Sequence, residues 1–191
     1  MIKLPEPKFK GEFTLEEILK KRRTCREFVK DKKLTLEQIS QLLWATYGIT
    51  EKRYSLKTAP SAGARYPLDI YVAKEDGVFK YIPEEHSLME ISKEDIREKI
   101  AIASYNQDFI ADAPCVFIFY AIYERTTSRY GERGIRYVHF DLGHAAQNLL
   151  LQAEALSLGG CPVGAFNDSE IKKILKVKGE PLYIVPVGYK I

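Results

Sequence analysis

Three short segments carry the side chains and backbone best suited to binding a ligand. The first is Arg22-Arg23-Thr24-Cys25-Arg26. On a helix, Arg22 and Arg26 stand four apart and Arg23 and Arg26 three apart, so their guanidinium groups converge within one turn. Guanidinium forks beside a threonine hydroxyl form the donor set that a phosphate monoester takes. A solvated basic helix end is the plain alternative. Nucleic-acid contact is a second, poorly supported by one short cluster without interleaved aromatics. The second segment is Pro60-Ser61-Ala62-Gly63-Ala64, where small residues let a flat ligand approach the backbone and Ser61 adds one donor and acceptor. It also reads as an ordinary loop before a strand. The third is Gly159-Gly160-Cys161-Pro162-Val163-Gly164. Glycines free amide groups to face a ligand and proline stiffens the loop. A helix stop accounts for Gly159 but leaves Pro162 and Gly164 over. Together the three describe a phosphate clamp, a small-residue floor and a glycine loop for a planar ring.

Other chemistries find little support. The chain has no G-x-G-x-x-G, no G-x-x-x-x-G-K-S/T, no H-E-x-x-H and no G-x-S-x-G. Cys25, Cys115 and Cys161 are odd in number and far apart, which suits neither a disulfide framework nor a zinc site. Cys161 has no paired base and reads as a loop residue. His139 and His144, five apart, have the wrong spacing to share a metal, so no metal is expected. Asp141, His144, Asn148 and Gln152, spaced three and four apart, read as a hydrogen-bonded dimer seam, with substrate contact as the alternative. The 29 basic and 26 acidic residues leave a net charge of +3, too small to argue for nucleic acid or an anionic membrane. The first 13 residues lack an apolar signal core, and no apolar run approaches the ~18 residues that span a bilayer. A cytoplasmic protein is expected.

The elements that must position these segments are legible in outline. A chain of 191 residues, 46% hydrophobic and without linkers or repeats, is one domain over 1–191 with room for a sizeable core. Residues up to Gly11 read as an extended arm. Thr14 with Glu17 caps a short amphipathic helix, and Thr35 with Gln38 caps a second that stops at Gly48. Residues 54–66 form a loop. Leu68, Ile70 and Val72 alternate along a strand, Glu75-Asp76-Gly77 turns a hairpin, and VFKYI alternates again. Ser92 opens a helix over KEDIREKIAIAS. CVFIFYAI is a strand buried on both faces. From about 135 to 158 runs a helix of ~36 Å, apolar on more than one face. In so small a chain it needs a second subunit to cover it. Asn167 with Glu170 starts another helix, and LYIVPVGYK closes the chain as a strand. With no regular βαβ alternation, the class is α+β.

In their order and wording, RRTCR, TAPSAGARYPLDIYV, SRYGERGIRYVHFDLGHAAQNLLLQAEAL, GGCPVGAF and VGYK resemble the FMN-dependent nitroreductase family over most of the chain. They are most similar to its azoline-oxidising branch, which matures thiazole and oxazole peptides. The resemblance implies a central mixed or antiparallel sheet flanked by helices around a long buried helix, and an intertwined homodimer with FMN in the subunit groove. By position, Arg22, Arg23, Thr24 and Arg26 would hold the phosphate and the pyrimidine edge. Pro60, Ser61, Ala62 and Gly63, from the partner subunit, would line the isoalloxazine. Pro162, Val163 and Gly164 would offer amide donors near N5, and Lys190 would reach the phosphate. A guanidinium at the pyrimidine edge favours the anionic reduced flavin. NADH, NADPH or the substrate itself would supply electrons, and a small molecule would be acted on. Two departures bear on the reaction. Arg65-Tyr66 stands where nitroreductases usually place an asparagine, which argues against nitroaromatic reduction. Arg129-Tyr130 replaces a Lys-Tyr pair of the azoline branch, and arginine, with a pKa above about 12, is a poor base, leaving Tyr130 as the proton-transfer candidate. A non-catalytic flavin protein for storage or sensing is the alternative reading.

Overall fold

The computed structural model describes all 191 residues. Nine strands and seven α-helices alternate irregularly along it. Strand β1 (Ile2–Lys3) is followed by helices α1 (Leu15–Lys21) and α2 (Leu36–Tyr47), then by β2 (Ile49–Glu51) and β3 (Leu56–Lys57). Next come β4 (Leu68–Lys74), β5 (Gly77–Ile82), β6 (Ser87–Ser92), α3 (Arg97–Ala103), α4 (Phe109–Asp112) and β7 (Cys115–Ala121). The last third holds α5 (Glu124–Tyr130), α6 (Arg133–Ala155), β8 (Leu158–Gly160), α7 (Asp168–Leu175) and β9 (Glu180–Tyr189). Seven strands form one antiparallel sheet in the order β1-β6-β5-β4-β7-β9-β8, and β2 pairs β3 apart from it.

Alternation along the central strands explains the layering. Leu68, Ile70 and Val72 of β4 and Phe117 and Phe119 of β7 face one core together with α2 and α6, through Leu42, Leu43, Ala145 and Leu149. Tyr71, Ala73, Val116, Ile118 and Tyr120 face the other core with α3, α4 and α7, through Ile100, Ile110 and Ile171. All seven residues of β7 are buried, which is why its sequence shows no polar alternation. Both expected capping boxes form: Thr14 with Glu17 on α1 and Thr35 with Gln38 on α2.

Several expectations change. Ser92 ends β6 rather than opening a helix, and α3 begins at Arg97 with no side-chain cap. The N-terminal arm is partly recruited as β1, pairing Ile2 with Leu88 on the sheet edge. The long helix stops at Ala155, because Leu158 to Gly160 pair with β9. Nor is α6 buried all round within the chain. Val138, Leu142, Ala145 and Leu149 are buried, while Phe140 is 54% exposed and Gly143, His144 and Gln147 on the same outer face lie open.

Candidate functional site

The segment 22–26 is not helical. Helix α1 stops at Lys21, and Arg22 turns out of helical geometry at φ −52, ψ 122. The chain then extends: Thr24 bridges Gly160 in parallel, the Cys25 amide donates to the Gly160 carbonyl at 3.0 Å, and Phe28 bridges Lys190. The expected convergence of Arg22, Arg23 and Arg26 over one turn is therefore replaced by strand-like alternation. Arg22, Thr24 and Arg26 share one side. Arg23 turns back and donates to the Lys20 and Arg22 carbonyls, capping the end of α1. Arg26 lies over the Phe109 ring at 5.8 Å. None of the three arginines pairs with a carboxylate, so Arg22 and Arg26 keep their donor forks free for an anion.

Close packing seats this segment. A Cβ at Gly159 would lie 2.6 Å from Cys25 Cβ and 2.7 Å from Lys190 Cγ, so only glycine lets the two strands approach. Lys190 is bonded through Nζ to Glu154 Oε1 at 2.9 Å, and Glu154 is buried on the last turn of α6. Its charge is thus already matched, which separates it from the unpaired arginines. In the third segment, Pro162 has no amide hydrogen, and the Val163 amide donates to the Ile184 carbonyl at 2.8 Å. Of the three expected donors, only the exposed Gly164 amide is left without a protein acceptor. Burial pushes the Cys161 thiol up, against a smaller opposing effect of Arg26, so it is no ready nucleophile.

The second segment is built against the middle of α6. Ser61 Oγ donates to Asp141 Oδ2 at 2.6 Å and accepts from the Tyr66 amide at 2.9 Å. Asp141 is 3% exposed, and burial raises its pKa despite the opposing Ser61 hydrogen bond. The members of the polar stripe read as a dimer seam differ in placement: Asp141 turns inward, Gln152 accepts from Gln41 at 3.1 Å, Asn148 is half-buried and His144 is exposed. Gly63 has φ +59, and a Cβ there would lie 2.5 Å from the Tyr130 hydroxyl. Tyr130, edge-on to Tyr137 at 5.2 Å, is thereby placed on the small-residue loop. Sequence reading missed the Asp141 and Glu154 anchors, although a carboxylate amid the apolar positions of a helix was a signal for both.

The first and third segments lie side by side near the C-terminal end of α6, whereas the second sits near its middle. Asp141 and Glu154 are 13 residues apart, about 20 Å along the helix at 1.5 Å per residue. Five cavities of the chain, of about 340–600 Å³, are lined by none of the residues from the three segments. One chain thus carries the candidate segments at two separate places along α6.

Comparison with known proteins gives a consistent picture. The model described as "Nitroreductase family" matches residues 19–189. A Methanocaldococcus jannaschii protein named as a candidate nitroreductase is 52% identical over 186 residues, covering 94% of this chain and 93% of its own length. The trifolitoxin-processing protein TfxB of Rhizobium leguminosarum is 30% identical over 139 residues, covering 62% of this chain and 35% of its own. The crystal structure of a candidate nitroreductase from Ralstonia eutropha matches with a TM-score of 0.90 at 28% identity, covering all of this chain and 89% of that one.

Proposed function

Since the chain belongs to the nitroreductase family, we propose that it is an FMN-dependent oxidoreductase of small molecules that works as a homodimer. The observation that carries this reading is the separation of two open half-sites by about 20 Å along α6. Two copies packed antiparallel through the open face of α6 bring segment 22–26 of one beside segment 60–63 of the other. Phe140 and the unbranched Gly143 on that face suit close helix contact.

The residues fit the cofactor. Arg22 and Arg26, free of carboxylates, with Thr24 between them, would hold the phosphate and the pyrimidine edge. Arg23 and Lys190 would stand behind them, one capping α1 and the other tied to Glu154. Pro60, Ser61, Ala62 and Gly63 would form the flat floor, fixed by Asp141. Pro162 and Val163 would shape the opposite wall, and Gly164 would supply the amide donor. When bound, FMN supplies two-electron transfer between NADH, NADPH or an organic donor and the acceptor. The protein's own part is to orient the ring, to favour negative charge at its pyrimidine edge through guanidinium groups, and to hold a proton at the Tyr130 hydroxyl beside Gly63.

The similarity of TfxB, a trifolitoxin-processing protein, to part of the chain supports the azoline-oxidising branch, with a modified peptide as one substrate class. Purified protein is expected to be yellow and to bleach anaerobically with NADH, NADPH or the substrate. Arg22→Ala with Arg26→Ala is expected to leave it folded and to lower flavin occupancy at least tenfold. A colourless protein that FMN does not reconstitute overturns the proposal. Colour that no donor bleaches returns the reading to flavin storage or sensing.

A further inference from the structure

The Lys57 side chain is 9% exposed, and its ammonium lies 4.6 Å from the centre of the Tyr47 ring and 5.2 Å from that of Tyr66. Its carboxylate neighbour is Glu84, 3.5 Å away on a side chain 59% exposed. That contact is long for a charged hydrogen bond. Burial holds the lysine pKa below its ordinary value, and Glu84 offsets this only in part. An ammonium removed from water is costly without a close partner.

Lys57 borders a cavity of about 340 Å³ shared with Lys80, Arg125 and Arg65. Asp69 within it accepts from Lys80 at 2.7 Å and from Arg125 at 2.9 Å. Four cations therefore meet two carboxylates, one of them on a largely exposed side chain. The lining between the charges is mixed, with Tyr47, Leu68 and Ile70, all nearly fully buried, as its apolar floor. Ser55 and Tyr66, which also line the cavity, hold φ of +52 and +45 without being glycine. Such conformations cost free energy and persist only where the surroundings enforce them.

We propose that this cavity is a binding site for a small organic carboxylate, whose head takes the place of Glu84 on Lys57 and whose apolar body lies against Tyr47 and Leu68. The carboxylate class follows from the partners the cations already accept, Asp69 and Glu84. The volume is at the small end of ligand cavities. The cavity adjoins the second segment, since the Tyr66 amide donates to Ser61, but none of its lining residues belongs to the three segments, so it stands whether or not FMN binds as proposed.

The test is calorimetric titration of the purified full-length protein with hexanoate, with hexanol as the uncharged control. One hexanoate per chain is expected to bind saturably and hexanol not at all. Lys57→Met keeps the apolar stem and removes the buried charge, and is expected to weaken binding about tenfold or more. Glu84→Gln removes the competing carboxylate from an exposed position and is expected to tighten binding several-fold. Absence of hexanoate binding, equal binding of hexanol, or affinity unchanged in both variants overturns the proposal. Binding of inorganic phosphate where hexanoate fails also overturns it.

Discussion

The Tyr130 hydroxyl rests on Gly63 at a distance that leaves no room for a methyl group. The tyrosine is therefore positioned by the same loop that would floor the ring. If it moves the proton, Tyr130→Phe should lower kcat about 100-fold while flavin content, read from the visible absorbance, stays that of the parent. Unchanged turnover would remove it from the chemistry. Asp141 is a second residue whose environment makes a prediction. Its pKa is raised by burial, so the native state holds the proton more tightly than the unfolded chain does. That contribution is complete below the ordinary carboxyl range near about 4. It is lost as pH rises through the native value. Asp141→Asn cannot lose a proton and can still accept from Ser61. Its melting temperature relative to the parent should therefore climb between pH 4 and pH 7, and a flat difference would contradict the account.

At the scale of elements, the strand-like run from Arg22 to Phe28 depends on the absence of a side chain opposite it. Gly159→Ala places a methyl group against Cys25 Cβ and Lys190 Cγ. Overpacking of this kind costs about 1–3 kcal/mol. The variant should unfold at lower denaturant and, with the arginines displaced, retain less flavin. The Arg spacing is compatible with a helix, and α1 lies directly before it, so local pattern extends the helix one turn too far. Past α1 the chain is instead held extended by a backbone hydrogen bond from Cys25 to Gly160, a partner 135 residues away. Strand β6 escaped for a related reason. Leu88 is its only fully buried large apolar side chain, and Met89, Glu90 and Ile91 are exposed, so the alternation that marks β4 is missing.

For the whole molecule, the open face of α6 carries the strongest expectation. Phe140 is more than half exposed on a helix whose other face is packed into the core. Phe140→Glu should turn a dimer into a monomer by sedimentation and lower flavin occupancy, while the circular dichroism of the chain is retained. A parent protein that sediments as a monomer while holding full flavin would show that one chain suffices. The proposed half-sites, about 20 Å apart along α6, make the opposite expectation.

Local pattern by itself determined the two capping boxes, the β4–β5 hairpin, the doubly buried β7 and the length of α6 to within a few residues, because these depend on contacts between near neighbours in the chain. It also singled out 22–26, 60–63 and 162–164 as candidate binding segments, since residue type alone sets which donors are available. Only the tertiary structure decided what each of those segments touches. It laid 22–26 against β8, engaged the Val163 amide with Ile184 so that Gly164 remained, matched Lys190 with Glu154, and turned Asp141 inward to Ser61. Each of these partnerships joins residues far apart in sequence, and which donor stays free for a ligand is set by what remains after they form.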